Sequence, residues 1–333
     1  MTWLVTGGAG YIGAHTVRRL SDAGHRVVVL DDLSTGLAAR LPSGVPLIVG
    51  SMRDSALVAS ALSEYQVDGV VHLAARKSAV ESVEQPQRYH EANVGGLASV
   101  LDAMAATGVK RIVFASSAAV YGSPTVPLVT ETTATEALNP YGRTKMDGER
   151  LLVDRGGDLS WIVLRYFNAA GTDDPALVDH GRTNLLPHVF QALAQGTPVM
   201  VNGDDYTTRD GTGVRDYVHP ADLASANLAA VSRLMAGPTT GVYNVGGGRG
   251  HSVLEVLAAI EAVSGRPVPY VVGARRPGDP AEVVASVAKI RSELDWAPEH
   301  GLDSIIASEW QARLADLTAA GLPPARLHQE LRR

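Results

Sequence analysis

The chain of 333 residues contains no cysteine, which excludes disulfides, thiolate metal sites and a cysteine nucleophile. Its ten histidines include no pair spaced H-x-x-x-H, so no metal is expected. Lysine, arginine, aspartate and glutamate are scattered along the chain, with a net charge of −6 and no basic stripe. That argues against nucleic acid as a partner. No apolar run is long enough to span a membrane. The N-terminal residues lack a basic stretch followed by an apolar one and enter a strand directly at "TWLVT". A soluble, cytoplasmic protein is the expectation. Internal repeats and low-complexity segments are also missing. What is present is ordinary globular composition, 45% hydrophobic and 19% charged, with length for one large or two medium domains.

The first half alternates β-rich runs with helical patterns. "TWLVT", "RVVVL", "VPLIV", "DGVVHLA", "RIVFAS" and "WIVLRYF" read as strands, with helices over residues 12–23, 55–64 and 93–106 among the connections. Nearly continuous apolar strands separated by helices predict a parallel, doubly wound α/β sheet of Rossmann type, covered on both faces. After about Gly171 the pattern gives way to Gly-, Asp- and Pro-containing loops with short helices such as 254–263. The expected division is a dinucleotide-binding domain over 1–170, rejoined by a later segment at about 214–246. A smaller, loop-rich lobe over 171–333 is interleaved with it, and its end, 321–333, reads as a peripheral tail.

"VTGGAGYIG" follows the first strand and opens a helix. Gly7, Gly10 and Gly13 are spaced G-x-x-G-x-x-G, and Gly8, Gly10 and Gly13 also satisfy G-x-G-x-x-G. Such glycines let the backbone approach a pyrophosphate that sits at the positive end of the helix. Asp31 ends the second strand 18 residues after Gly13. A carboxylate there accepts hydrogen bonds from ribose hydroxyls and repels a 2′-phosphate, which points to NAD rather than NADP.

A second signature is "NPYGRTK". Asn139 is a good N-cap and Pro140 is tolerated in the first turn, so a helix is predicted over 140–154. Tyr141 and Lys145 then lie four residues apart on one face. A phenol with a pKa near ~10 needs its anion stabilised before it can act as a base, and a nearby ammonium does that. Ser116 and Ser117 end the strand "RIVFASS", where doubly wound sheets bind ligands. Ser117, Tyr141 and Lys145 form a candidate catalytic triad.

The segments "TGGAGYIGAHT", "KSAVESV", "SSAAVYG", "NPYGRTK", "LRYFNAAG" and "DYTTRDGTGVRDYVHPADLA" resemble the extended short-chain dehydrogenase/reductase superfamily. Within it they resemble the UDP-glucose 4-epimerases, with "DGTGVRDY" the most specific part. Nucleotide-sugar dehydratases of the superfamily carry an acid just after the strand-end hydroxyl, where this chain has Ala118 and Ala119. With no acid there to protonate a leaving hydroxide, dehydration is disfavoured.

The resemblance implies an isomerase in which C4 of the sugar loses hydride to NAD while Tyr141 takes the hydroxyl proton. The 4-keto sugar then turns over and takes the hydride back on its other face. It further implies cofactor contacts from Gly7, Gly10, Tyr11, Ile12, Gly13, Asp31, Met52, Lys77, Asn93, Tyr141, Lys145 and Tyr166. A UDP-sugar would be held by Ser117, Tyr141, Asn168, Asn184, Leu185, Arg215, Arg276 and Asp279. UDP-galactose and UDP-glucose are the expected pair, and UDP-N-acetylhexosamines, pentoses or uronates are the alternatives. A non-catalytic NAD or nucleotide-sugar sensor is the reading from another class. His219 is read as structural. Ser51 and Asn202 depart from the family pattern beside the adenosine and the uracil, and Val283 falls near a position that admits or excludes an N-acetyl group. A homodimer through the two long helices is expected.

Overall fold

The computed structural model describes residues 1–126, 128–179, 181, 184–276 and 278–319; the tail at 321–333 lies outside them. In chain order the strands are β1 (Thr2–Thr6), β2 (Arg26–Asp31), β3 (Leu47–Val49), β4 (Gly69–His72), β5 (Arg111–Ser117), β6 (Leu128–Val129) and β7 (Ser160–Tyr166). They continue with β8 (Asn168–Ala169), β9 (Val199–Asn202), β10 (Val214–Val218), β11 (Thr240–Val245), β12 (Gly250–Ser252), β13 (Tyr270–Gly273) and β14 (Glu282–Ala285). The first helices are α1 (Tyr11–Asp22), α2 (Ser55–Glu64), α3 (Ala79–Glu84), α4 (Pro86–His90), α5 (Gly96–Thr107) and α6 (Pro140–Arg155). After them come α7 (Leu185–Gln195), α8 (Pro220–Ala236), α9 (Val253–Ser264), α10 (Ala288–Leu294) and α11 (Leu302–Ala319).

Seven strands form one parallel sheet in the order β11-β7-β5-β4-β1-β2-β3. The fold is therefore the doubly wound α/β sheet that the strand pattern predicts. Its strands are buried on both faces, which is why they read as apolar runs without alternation. One face packs Val5, Val29, Val113 and Leu164 against side chains of α1, α8 and α10. The other packs Leu4, Val28, Val70, Ile112 and Phe114 against α2, α5 and α6. Chain order reverses between β1 and β4, so the crevice beyond their carboxyl ends is the ligand position of such sheets.

The second lobe has its own core, where α7, α9 and α11 meet β9 and β10 around Leu186, Phe190, Val201, Tyr217, Ile260 and Ile305. The 214–246 stretch divides between the two layers. α8 and β11 join the large sheet, whereas β10 pairs with β8, β12 and β14. Asp216 on β10 explains part of the "VRDY" motif structurally. It is buried and accepts the N–H groups of Gly247 (2.5 Å), Gly248 (3.0 Å) and Ala285 (3.0 Å), tying β10 to β14 and to the loop after β11.

One predicted helix is modified. The 93–106 helix is preceded by a π-helical turn over Glu91–Gly95, and regular α geometry begins at Gly96. Here the buried Asn93 carboxamide accepts from Arg76 N (2.8 Å) and donates to Arg76 O (3.0 Å) and Thr144 Oγ1 (2.9 Å). Those bonds outweigh continuous α geometry, as in many π-bulges near functional sites.

Candidate active site

A cleft of ≈ 1440 Å3 runs along the carboxyl ends of the large sheet, from Asp31 past the β1–α1 loop to Arg215 and Arg276 on the second lobe. At its centre lies the turn at the start of α1. Gly7 has φ +71°, and a Cβ there would stand 2.7 Å from Ala74 N. A Cβ on Gly13 would stand 2.0 Å from Gly7 O, so loop and helix pack backbone to backbone. The N-cap, Gly10, offers no side chain to the first-turn amides of α1. Open amides at a positive helix end are what a pyrophosphate requires. Asp31 accepts from Ala9 N and Leu33 N, both at 2.9 Å, which fixes its carboxylate at the cleft. Each oxygen keeps a lone pair for a ribose hydroxyl. These residues fit a dinucleotide.

Beyond the loop, β5 and α6 bring three polar side chains together. Asn139 caps α6 by accepting from Gly142 N (2.9 Å), so that Tyr141 enters the cleft on the first turn. Burial holds the Tyr141 phenol above its ordinary pKa, against the nearby Ser117 hydroxyl, which lowers it. Lys145 is buried and donates to Ala115 O at 2.7 Å, with its Nζ 6.0 Å from the Tyr141 ring centroid. Burial lowers its pKa to about 8, against the field of Glu149, which raises it. The long Lys145 side chain is drawn to the strand carbonyl, and Ser117 also acts on the phenol in favour of its anion.

Most predicted cofactor residues line this cleft: Gly7, Gly10, Tyr11, Ile12, Gly13, Asp31, Met52, Lys77, Tyr141, Lys145 and Tyr166. Asn93 does not; it stands behind the wall and clamps the Arg76 backbone. The Tyr11 hydroxyl donates to Gly171 O, and the Tyr166 hydroxyl donates to Asn227 at 2.9 Å, so both rings reach the cleft with their polar tips already engaged. Of the sugar-nucleotide residues, Ser117, Asn168, Asn184, Arg215, Arg276 and Asp279 line the cleft, whereas Leu185 packs against the core of the second lobe. Arg215 and Asp279 form an ion pair with each other. Val283 and Ser51 also line the cleft, and the Asn202 carboxamide, with its oxygen turned to Arg276, accepts from Nε at 3.2 Å.

His219 is the N-cap of α8, accepting from Ala221 N (3.2 Å), and its buried ring stacks on His300 with centroids 4.2 Å apart. Residues without a motif to announce them also belong to the site. Arg40 and Asp179 line the cleft; Arg40 donates to Val178 O (2.9 Å), and Asp179 accepts from Asn184 (2.8 Å) with Lys77 Nζ at 4.0 Å. His72 lies below Lys145, bonded to Thr6 Oγ1 at 2.9 Å, and burial together with the Lys145 charge drives its pKa down to about 3. Only the i+4 spacing of Glu149 from Lys145 could have been seen in the sequence.

Comparison with known proteins places this geometry. A family described as "NAD dependent epimerase/dehydratase family" matches residues 3–246. The UDP-glucose 4-epimerase of Lacticaseibacillus casei is 40% identical over 317 residues, covering 93% of this chain and 96% of its own. A UDP-glucose-4-epimerase structure from Stenotrophomonas maltophila, with bound NAD and formylated UDP-arabinopyranose, superposes with a TM-score of 0.92 at 40% identity. It covers 96% of this chain and 99% of that one. The Bifidobacterium longum enzyme, in complex with NAD+ and UDP, gives a TM-score of 0.89 at 37% identity over 95% and 99% of the two chains.

Proposed function

The chain belongs to the NAD dependent epimerase/dehydratase family, and from that membership and the cleft geometry we propose that it interconverts UDP-galactose and UDP-glucose by inversion at C4. The observation that carries this reading is the joining of the Ser117–Tyr141–Lys145 cluster and the arginine-lined lobe in one cleft with the glycine loop. NAD, when bound, supplies a reversible hydride acceptor for the C4 hydrogen. Asp31, the α1 N-terminus, Lys77 and Lys145 would hold it.

Tyr141 takes the proton of the C4 hydroxyl and returns it when the carbon is reduced again, with Ser117 holding the same oxygen. Lys145 acts on the phenolate from a distance through the low-dielectric interior rather than by contact. Asn184, Arg215 and Arg276 grip the diphosphate, where guanidinium forks suit paired phosphate oxygens. Asp279 holds the uridine ribose. The hexose itself is left free to present either face. Ala118 and Ala119 follow Ser117 in the same cleft, so no carboxylic acid stands there to expel water. Residues 1–170 serve the dinucleotide and 171–333 chiefly the nucleotide sugar.

The same reading makes the protein a cytoplasmic homodimer joined through α5 and α6. These helices are tied to each other by the Arg155–Asp102 pair at 2.6 Å, and Val153 is 59% exposed on their outer side. Among the described residues no helix is long and apolar enough to cross a membrane. The test is proton NMR of the anomeric region after incubation with UDP-galactose and no added NAD. Appearance of UDP-glucose is expected. Unchanged UDP-galactose, with and without added NAD, would refute the proposal.

A further inference from the structure

Three consecutive residues at the end of β5 each engage α6. Ala115 O accepts from Lys145, Ser116 Oγ donates to Glu149 Oε1 at 2.5 Å, and Ser117 acts on the Tyr141 phenol, lowering its pKa. Their partners stand at 141, 145 and 149, one helical turn apart on one face. Only 141 and 145 serve the reaction proposed above, which leaves Glu149 without a role in it.

The carboxylate of Glu149 is built in firmly. Arg165, directly across from Ser116 in the β5–β7 register, grips it with two bonds, Nε to Oε1 at 3.0 Å and Nη2 to Oε2 at 2.7 Å. Both side chains are largely buried, at 13% exposure for Glu149 and 7% for Arg165. Replacing such a pair by apolar residues is often neutral or stabilising, so stability alone is a weak reason for it. We propose that Glu149 is a positioning residue for the reaction: fixed by Arg165 and Ser116, it sets α6 in register on β5 and supplies the counter-charge of the buried Lys145 ammonium.

The surroundings of Lys145 leave that task to Glu149. From β4 it meets His72, which is uncharged at neutral pH. From β5 it meets a carbonyl and hydroxyls, and from its own helix Tyr141 and Glu149. Arg165 on β7 is engaged with Glu149, and Tyr121 of the turn after β5 bonds Arg165 and Asn244. On the elements covering α6, Glu81 of α3 is held by Arg76 and by Tyr89 of α4, and Glu91 pairs with Arg53. The remaining ionisable groups on those elements are Glu84, Arg88 and His90. Burial without a counter-charge would discharge Lys145 within the working pH range.

The chain has only four lysines (Lys77, Lys110, Lys145 and Lys289), so lysine-labelled holoenzyme can be titrated by NMR residue by residue. Glu149→Gln is expected to lower the Lys145 titration midpoint by about one pH unit, a tenfold loss of proton affinity. The alkaline limb of kcat/KM is expected to move down with it. Because Glu149→Gln strands a buried guanidinium and risks misfolding, the Glu149→Gln/Arg165→Met double variant is run beside it, with a smaller shift in the same direction expected because a cation is removed too. Ser116→Ala, which keeps both charges, is expected to leave the Lys145 midpoint in place while lowering kcat. A Lys145 midpoint unmoved in both Glu149 variants overturns the proposal. The inference rests on the epimerase reading, but the NMR midpoint is measured without turnover. The two therefore fail separately: no turnover of UDP-galactose by the parent sinks the reading, and an unmoved midpoint sinks the role of Glu149.

Discussion

At the scale of single residues, the site is an arrangement of burial against hydrogen bonding. Tyr141 is raised by burial and lowered by Ser117, while Lys145 is lowered by burial and raised by Glu149. Burial wins at both: it holds the phenol above its ordinary value and brings the ammonium down to about 8, so that Lys145 stands the nearer of the two to neutrality. Tyr141→Phe removes the proton carrier but keeps the ring. It is expected to retain NAD and UDP-sugar binding, measured by fluorescence titration, and to lose turnover by about 10²–10⁴-fold. Near-parental turnover would remove Tyr141 from its role. Most of these side chains were legible in the sequence because short motifs carry them. Asp179 and Arg40 were not, since neither sits in a motif of fixed spacing, and the carbonyl that Arg40 bonds lies 138 residues further along the chain.

At the scale of elements, two helix starts decide the site. The α1 turn works because Gly13 lets backbone meet backbone, and a methyl group there would press on Gly7 O at 2.0 Å and Gly8 Cα at 2.8 Å. Neither contact is a flexible side chain that could swing away. Gly13→Ala is expected to destabilise the fold by about 1–3 kcal/mol and to abolish NAD binding, read by thermal melts with and without the cofactor. An NAD-dependent rise in Tm equal to that of the parent would contradict the account. The helices predicted over 12–23, 55–64 and 140–154 were visible in the sequence, and the structure places their ends within one residue of those bounds. The π-helical turn before α5 was not visible. It is set by the bonds of Asn93 to a segment 17 residues earlier in the chain and to Thr144 on α6.

At the scale of the whole molecule, buried ionisable groups link stability to pH. His219 is lowered to about 4, chiefly by burial. Its folded value lies below the unfolded one of ~6.5, so the unfolded chain binds more protons as pH falls. The stabilising effect is complete above ~6.5 and is lost as pH drops toward 4, amounting to on the order of 2 kcal/mol at pH 5. Asp216 works with the opposite sign. Burial raises it to about 7, so its contribution is present at low pH and lost as pH rises through that value. Thermal melts of His219→Asn against the parent isolate the histidine, since an asparagine can still cap α8. The variant is expected to lose less stability than the parent between pH 7 and pH 5. Parallel curves would contradict the assignment.

The sequence by itself determined the doubly wound sheet, the phosphate turn and the Tyr141–Lys145 helix. Each depends on local rules: apolar runs too short for helices, glycines at fixed spacing, and an Asn-Pro start. It also named candidate nucleotide-sugar residues in short motifs, and all of them but Leu185 line the cleft. Only the tertiary structure decided which groups act on which. Lys145 bonds the Ala115 carbonyl rather than the phenol, Asn93 stands behind the wall, Arg215 pairs with Asp279, and Glu149 lies against Arg165. The physical reason is that a charge in a buried site answers to the nearest unsatisfied partner in space. Strands separated by dozens of residues bring that partner in only after the chain has folded.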